Sequence, residues 1–251
     1  TCGQRAIYEV GLTGIPVFNV NNNCSTGSTA LMLAKQAIEG GIAECVLVVG
    51  FEQMERGALA SNFTDPTQPL EQHGDLMGKV QAFAGGPMAA QMFGGAGREY
   101  RWKYGTKKET FGQVAVKARQ HAKNNPFALF QQELSLEDVM NSPEVFDPLT
   151  RYQCCPPTCG AAAAVLASDD FVKKNGIDNP VYIAAQAMAT DFASSFEEQS
   201  MIKIVGYDMT VAAAQQVGDV AHHHRGQLAE HPARHHESRV VSRLDGGHTI
   251  D

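Results

Sequence analysis

The first fifty residues change their spacing of apolar side chains twice. A short β-branched and aromatic run at 15–20 follows a Gly-Ile-Pro turn and predicts a strand. Beyond Thr29 the apolar residues recur every three or four positions, which predicts a helix that Gly40 and Gly41 end. A continuous apolar run at 45–50 predicts a second, fully buried strand. Together these elements predict a β-α-β crossover with two parallel strands.

Residues 52–151 form a polar stretch, interrupted by glycine and proline, that shows helical patterns. Residues 87–104 predict one helix, although a glycine run at 94–97 lowers its intrinsic propensity. Thr106 and Glu109 predict a capping box at the start of another helix, whose apolar face ends before an Asn-Asn-Pro sequence. The glycine run has no preceding strand and no following Lys-Ser/Thr pair, so it does not predict a phosphate-binding loop.

Strand patterns return in the last hundred residues. Residues 161–167 predict a strand of small residues, 169–175 a short helix ended by Gly176, and 181–188 a further strand. After Met209 we expect no further helix. From about residue 217 the sequence is rich in His and Arg without a period of 2 or 3.6, which predicts a disordered tail.

Composition and charge exclude several classes of protein. The chain has 251 residues, 43% hydrophobic, with a net charge of −7 and no dense basic stretch, which argues against nucleic-acid binding. No apolar run approaches the roughly 20 residues that span a bilayer. The first residues are not a signal peptide, and the start at Thr1 instead of Met predicts an amino-terminal truncation. Six cysteines in apolar or Gly-rich surroundings favour reduced thiols over a disulfide framework.

Cys24 is the candidate nucleophile. It lies between the predicted strand and the predicted helix, where unpaired backbone N–H groups and the helix dipole favour a thiolate. Gly27 and the small residues beside it would let a thioester approach and would leave N–H donors for a developing oxyanion. The alternative from position alone is a small buried thiol at the base of a helix.

Several segments of the chain are similar to the same family in the same order. The segment NNNCSTGSTAL at 21–31 closely resembles the nucleophile segment of thiolases, in the branch fused to or related to sterol carrier protein x. Four further stretches resemble that branch, namely TCGQRA at 1–6, QMFGGAGRE at 91–99, YQCCPPT at 152–158 and SSFE at 194–197. The resemblance extends from Thr1 to about Gln216.

The resemblance implies an α/β thiolase fold with five layers (α/β/α/β/α) built from two similar halves, of which the second half is largely missing here. It also implies domain boundaries. These are 1–50 for the first part of the N-terminal half, 51–151 for an inserted helical loop domain, 152–178 for the end of that half, 179–216 for the start of the C-terminal half, and 217–251 for the atypical tail.

The resemblance further implies the chemistry. Family members cleave 3-oxoacyl-CoA with free CoA, and Cys24 would take the acyl group while acetyl- or propanoyl-CoA leaves. Coenzyme A and acyl-CoA are then substrates, with no bound cofactor and no metal. A homodimer in the peroxisome is implied by resemblance, although the last residues contain no targeting signal and a cytoplasmic location is the alternative.

The sequence departs from the family in its last part. A His-Asp-x-Phe segment, a Gly-His-Pro loop and a second catalytic cysteine loop are characteristic of such thiolases, and none occurs in these 251 residues. Residues 246–249 (GGHT) lack the proline of the histidine loop. Two functions remain open. One is a thiolase-like acyltransferase that cleaves 3-oxoacyl-CoA through an acyl-Cys24 intermediate, an activity that truncation could abolish. The other is a catalytically silent acyl-CoA- or lipid-binding or dimerisation module.

Other reactive side chains are weaker candidates. The cysteines at 154, 155 and 159 and the histidines at 222–224, 231, 235 and 236 lack the paired spacing of a zinc site. We expect His73 and His121 on the surface, and Cys2 and Cys45 in the core. Five basic side chains of the insertion could contact CoA phosphates or form a solvated helix face; these are Arg98, Arg101, Lys103, Lys107 and Lys108.

Overall fold

The computed structural model describes residues 1–55, 69–230 and 238–241, with side chains described as far as residue 219. The helices are α1 (Cys2–Glu9), α2 (Thr26–Glu39), α3 (Glu71–Val80), α4 (Met88–Tyr104), α5 (Lys108–Ala122), α6 (Leu136–Asn141), α7 (Asp169–Lys174), α8 (Ser194–Glu197), α9 (Met201–Ile204) and α10 (Tyr207–Glu230). The strands are β1 (Cys45–Glu52), β2 (Glu144–Phe146), β3 (Leu149–Thr150), β4 (Gly160–Ser168), β5 (Val181–Tyr182) and β6 (Ser238–Val241).

The chain divides into two compact units. The first contains residues 1–54, 158–188 and 214–251, and the second contains residues 55–157 and 189–213. None of the helices in the described ranges is both long enough and apolar enough to cross a bilayer.

The first unit is built on a four-stranded sheet in the order β1-β4-β6-β5. All three neighbouring pairs are antiparallel, and β1 pairs with β4 over eight residues, from Cys45 opposite Ala167 to Glu52 opposite Gly160. The predicted crossover with two parallel strands is therefore wrong, because β1 finds its partner about 115 residues later in the chain and not in the run at 15–20.

The run at 15–20 forms no strand. Ile15 and Phe18 are exposed, and no described strand pairs with this segment. Its polar contacts go instead to the start of α1, since the Gly3 N–H donates to Asn19 Oδ1 at 2.8 Å and Asn19 Nδ2 donates to Gln4 Oε1 at 2.8 Å. A β-branched composition is therefore not sufficient for a strand where no neighbouring strand completes the ladder.

Helix α2 packs on the sheet with the face that the apolar spacing predicts. Ala34 and Ile38 are buried against Val48 of β1 and Leu166 of β4, and Leu166 is fully buried. Gly40 caps the helix, and Gly41 takes a left-handed φ of +69°, the conformation in which glycine has no steric cost. The predicted helix and its glycine stop are confirmed.

The second unit has its core between helices. Leu76 and Met77 of α3 pack with Ala96 of α4 and with Met201 and Ile204 of α9, and Met77 is fully buried. The Glu99 carboxylate of α4 accepts hydrogen bonds from the Ser200 hydroxyl and the Met201 N–H, both at 2.6 Å. It thereby satisfies donors at the start of α9, a short helix that could not form without such contacts.

The glycine run of α4 is a packing device. A Cβ atom on Gly94 would lie 2.5 Å from Phe146 Cδ1 and 3.0 Å from the Phe146 backbone oxygen, and one on Gly97 would lie 3.0 Å from Pro148 Cγ. The helix tolerates its low propensity because these glycines let the segment after β2 approach the α4 backbone.

Several helix and strand boundaries differ from the sequence predictions. Helix α5 begins at Lys108 without a side-chain cap, so the predicted Thr106–Glu109 capping box is wrong, whereas Ser135 and Asp138 form one at the start of α6. The strand predicted at 181–188 is limited to Val181–Tyr182.

The prediction of no helix after Met209 is also wrong. Helix α10 continues to Glu230, in agreement with the high helix propensity of Ala212, Ala213 and Ala214. Strand β6 pairs with β4, so the tail at 217–251 is not irregular throughout. The side chains of His222–His224 lie outside the described residues, as do residues 231–237 and 242–251 entirely.

An ion pair joins α9 to α10 within the second unit. Lys203 Nζ lies 2.7 Å and 2.8 Å from the two Asp208 oxygens, and the Ser194 hydroxyl donates to Asp208 Oδ2 at 2.5 Å. The hydrogen bond from Lys203, followed by that from Ser194, lowers the pKa of Asp208. The hydrogen bond to Asp208 is likewise the main cause of the raised pKa of Lys203.

Gly94→Ala should destabilise the second unit, because the added methyl group meets Phe146 and its backbone oxygen. Overpacking of this kind costs about 1–3 kcal/mol in the free energy of unfolding, which urea denaturation measures. Gly74→Ala in α3 is the matched control. Its Cβ meets nothing within 4 Å, and alanine in a helix interior is favoured over glycine by about 0.5–1 kcal/mol. Equal effects of both variants would contradict the close-approach role of Gly94.

Acid should weaken the α9–α10 junction through Asp208. A carboxyl group whose pKa is lowered in the folded state stabilises it above the unfolded pKa, and this stability is lost as the pH falls through the folded pKa. We expect the melting temperature of Asp208→Asn to fall less than that of the wild type between pH 5 and about pH 2. Asp75→Asn, at an exposed position of α3, serves as the control and should keep the wild-type pH dependence.

Candidate active site

Cys24 lies two residues before the first residue of α2, and its side chain is exposed. The predicted helix after the cysteine is present, whereas the predicted strand before it is not. The alternative of a small core thiol is wrong, since Cys24 is open to solvent in the described chain. Its position therefore leaves the thiol accessible to a bulky thioester substrate.

The chain turns sharply immediately before Cys24. Asn23 has a φ of +46°, a left-handed conformation that non-glycine residues rarely adopt and that asparagine tolerates best. The Ser25 N–H donates to the Asn22 carbonyl at 2.9 Å, and the Thr26 N–H donates to the Asn23 carbonyl at 3.2 Å. These bonds close the turn and direct the chain from Cys24 straight into α2.

Two backbone N–H groups in the first turn of α2 have no hydrogen-bond acceptor among the described residues. The Thr29 N–H donates to the Ser25 carbonyl at 2.9 Å, and the N–H groups of Gly27 and Ser28 have no acceptor among the described residues. The turn contains no acidic side chain, and a Cβ atom on Gly27 would meet nothing within 4 Å. Free donors, the positive end of a 14-residue helix and open space beside a thiol suit the stabilisation of a negative charge.

Residues after β5 approach the same turn. Gln186 Nε2 donates to the Ser28 carbonyl at 3.4 Å, and Asn22 Nδ2 lies 4.0 Å from Met188 Sδ. Gln186 Oε1 is buried without a hydrogen-bond partner among the described residues. Sequence reasoning missed these residues, and the only signal was a polar Gln186 within a segment predicted as an apolar strand.

The other cysteines have different environments. Burial raises the pKa of Cys154, with a smaller contribution from the charge of Cys155, and desolvation raises the pKa of Cys45. Cys159 Sγ accepts the Met54 N–H at 3.3 Å. Cys2 and Cys45 are exposed, so their predicted core positions are wrong.

His73 differs from its prediction as a surface residue. It belongs to α3, its side chain is 14% exposed, and its Nε2 lies 3.2 Å from Asp191 Oδ2 while its ring packs edge-on against Phe196. A histidine in a polar sequence is partly buried here, where Asp191, 118 residues later, supplies a partner for its ring. His121 is exposed, as predicted.

The basic residues of the insertion divide into two groups. Lys103, Lys107 and Lys108 are exposed. Arg98 donates to Gln81 Oε1 at 2.7 Å, and Arg101 lies 3.8 Å from Asp147 Oδ2. The two arginines line an open cleft of about 400 Å³ together with Trp102, Gly105 and Thr106. Within the described residues no three His, Cys, Asp or Glu side chains converge as metal ligands.

Comparison with known proteins places this geometry in a family. The thiolase N-terminal domain matches residues 2–170. The chain is 56% identical over 218 residues to sterol carrier protein 2 of Oryctolagus cuniculus, covering 86% of this chain and 40% of that protein. It is 43% identical over 221 residues to non-specific lipid-transfer protein-like 2 of Caenorhabditis elegans, covering 86% of this chain and 54% of the relative. The chain thus spans about half or less of these relatives.

The solved structures agree with the sequence comparison. A chain of the Ltp2-ChsH2(DUF35) aldolase superposes with a TM-score of 0.58 at 26% identity, covering 78% of this chain and 49% of the other. The expected α/β thiolase fold class is confirmed, as is the resemblance to the branch related to sterol carrier protein x. Because the thiolase N-terminal domain matches more than half of the residues of this chain, the chain belongs to the thiolase family.

Proposed function

We propose that this chain is a thiolase-type acyltransferase that acts on 3-oxoacyl-CoA, with Cys24 as the nucleophile. The observation that carries the proposal is an exposed thiol beside two N–H groups at the start of α2 that have no acceptor among the described residues, in a chain of the thiolase family. The closeness to sterol carrier protein 2 supports a lipid-derived acyl group as the substrate. A homodimer and a peroxisomal location, which the family resemblance implies, are also part of the proposal.

The reaction begins with attack of the Cys24 thiolate on the C3 carbonyl of the substrate. A sulfur–carbon bond forms, the C2–C3 bond breaks, and its electron pair stays on C2, which takes up a proton to give acetyl- or propanoyl-CoA. The sulfur of free CoA then attacks the acyl-Cys24 thioester, so that a shortened acyl-CoA leaves and Cys24 is regenerated. The Gly27 and Ser28 N–H groups would stabilise negative charge that develops near the sulfur.

These 251 residues contain no family motif that would supply the general acid or the general base. The helix dipole contributes only about 0.3–1 kcal/mol to a neighbouring anion in ordinary settings. General acid–base catalysis typically supplies about 10² to 10⁴ in rate. We therefore propose that this chain by itself undergoes acylation of Cys24. Turnover would require a form that also contains the histidine and second-cysteine loops.

The second candidate function is a catalytically silent acyl-CoA- or lipid-binding or dimerisation module. The name of the Caenorhabditis elegans relative, non-specific lipid-transfer protein-like 2, favours it. The acyltransferase and the acyl-CoA- or lipid-binding module both require such a ligand to bind, whereas a dimerisation module does not. The two functions differ in whether Cys24 ever forms a covalent bond with the acyl group.

Incubation with acetyl-CoA should add one acetyl group to the wild-type chain at Cys24, because thioester exchange onto an exposed thiolate needs neither C–C cleavage nor an external base. Intact-mass and peptide mass spectrometry measure the adduct. Cys24→Ala should carry no acetyl group on residues 21–31, and Cys159→Ala, which removes another exposed thiol, should be acetylated like the wild type.

A thiolysis assay with acetoacetyl-CoA and with a longer 3-oxoacyl-CoA separates the two functions. We expect turnover when a family-type second half is joined to this chain, and loss of that turnover in Cys24→Ala. An adduct on another cysteine with Cys24 unmodified would contradict the nucleophile assignment. Tight CoA binding without any adduct in either form would favour the silent module.

Within the second unit, the cleft beside Trp102 is by itself a proposed binding site for the nucleotide portion of CoA. Trp102 is 86% exposed, and Arg98 and Arg101 line the same cleft while Lys107 follows it in the chain. An exposed indole can stack on adenine, and basic side chains nearby favour phosphate groups. This combination supports a nucleotide over a purely apolar acyl chain at this position.

CoA should quench the fluorescence of Trp102, which is the only tryptophan of the chain, because adenine would stack on the indole. Fluorescence titration with CoA measures the effect, and pantetheine, which lacks the nucleotide, is the matched ligand control. Lys107→Ala should weaken the response without changing the final quench. Equal quenching by pantetheine and CoA would exclude adenine stacking at this cleft.

A further inference from the structure

The Thr26 hydroxyl joins the two residues that precede Cys24. Thr26 Oγ1 accepts the Asn22 N–H at 2.8 Å and donates to the Asn23 carbonyl at 2.8 Å. One hydroxyl group therefore satisfies a backbone donor and a backbone acceptor at once. Since Thr26 is the first residue of α2, this pair of bonds ties the turn to the helix.

A second threonine holds the same turn from its outer side. Asn22 Nδ2 donates to Thr29 Oγ1 at 2.9 Å, one helical turn after Thr26. The Asn22 backbone is thus fixed by Thr26 and its side chain by Thr29. Only the first of these contacts involves the main chain that leads into Cys24.

The backbone between these contacts is held in an unfavourable conformation. Asn23 has a φ of +46°, and a non-glycine residue persists in this region only where its surroundings determine it. The Thr26 hydroxyl binds the Asn22 N–H, which precedes this conformation in the chain, and the Asn23 carbonyl, which belongs to the peptide unit directly after the Asn23 Cα atom. The two bonds therefore bracket the left-handed residue. The conformation of Asn23 sets the direction in which the chain continues to Cys24.

The helix cap does not supply this constraint. Ser25 is the N-cap residue of α2, and its side chain makes no capping hydrogen bond. The Thr26 side chain points back to residues before the cap instead of to the helix N–H groups at positions 27 and 28. Its contacts therefore shape the approach to Cys24 and leave the helix donors free.

We propose that Thr26 is a positioning residue for the nucleophile, which acts through the left-handed conformation of Asn23 to aim the Cys24 sulfur at the carbonyl of a bound thioester. This inference rests on the proposed function, because aim matters only if Cys24 attacks an acyl-CoA. Its chemical requirement is a hydroxyl group at position 26 that can accept and donate simultaneously. A methyl group of the same size meets neither requirement.

Three variants of the full chain test the positioning role. Thr26→Val keeps the shape of the side chain and removes the hydroxyl, whereas Thr26→Ser keeps the hydroxyl. Thr29→Val makes the same chemical change one turn later and removes only the bond to the Asn22 side chain. The measurements are the acetylation rate of Cys24 with acetyl-CoA, its alkylation rate with iodoacetamide, the melting temperature, and hydrogen exchange of the Asn22 amide.

Thr26→Val should acetylate Cys24 at least about tenfold more slowly than the wild type, because small errors in the position of reacting groups cost large factors in rate. Alkylation by iodoacetamide, a small reagent that reaches an exposed thiol from many directions, should change by less than about twofold. The Asn22 amide should exchange faster in this variant only. Thr26→Ser and Thr29→Val should stay within about threefold of the wild-type acetylation rate.

The possible failures are distinct. A wild-type Cys24 that acetyl-CoA leaves unmodified overturns the proposed function, and with it the role of Thr26 in acyl transfer. An acetylated wild type together with an equally fast Thr26→Val overturns the positioning role alone. Equal losses of acetylation and alkylation in Thr26→Val would show that the thiol itself has changed, which also contradicts positioning.

Discussion

The pairing of β1 with β4 is the constraint on which the first unit depends. Eight consecutive residues on each strand are in register, and this places Val48 and Leu166 under α2. Ala34 and Ile38, one turn apart, then bury the middle and end of the helix on these two side chains. The helix is therefore anchored by its later turns, and its first turn stays open beside Cys24. Burial of the anchor and exposure of the thiol are two results of one packing arrangement.

In the second unit, close packing depends on the absence of side chains. Gly94 of α4 faces Phe146 at a distance that leaves no room for a methyl group, and a methyl group on Gly97 would require Pro148 to shift. Helix propensity counts these glycines as a cost of about 1 kcal/mol each, yet close contacts at the same positions compensate for it. The helix was therefore predicted correctly, but helix propensity does not account for its glycines.

Local patterns predicted the fold where the determining contacts are local. The stop of α2 at Gly40, the helix 88–104 and the small-residue strand at 160–168 follow from spacing and glycine alone. Errors occurred where a distant partner decides. The run at 15–20 has strand composition without a neighbouring strand, and β1 pairs antiparallel with a strand that follows more than a hundred residues later. No local pattern contains that information.

The same distinction applies within the site. The position of Cys24 before a helix was predictable from its segment, and the resemblance named its family reaction. Other contacts join residues whose side chains have many possible partners, as for His73 with Asp191 and for Asn22 with Thr29. The Asn22–Thr29 contact exists only once the turn at Asn23 has formed.

The order of physical effects at Cys24 then follows from their magnitudes. The dipole of α2 can add about 0.3–1 kcal/mol to a thiolate, which is less than a tenfold change in its population. Orientation of the sulfur and acid–base catalysis each act on rates by larger factors. A thiol at a helix start is not specific by itself. Cys24, however, follows a left-handed asparagine, and one hydroxyl group binds both the carbonyl of that asparagine and the N–H of the residue before it. In this chain the turn, more than the dipole, distinguishes Cys24 from its five other cysteines.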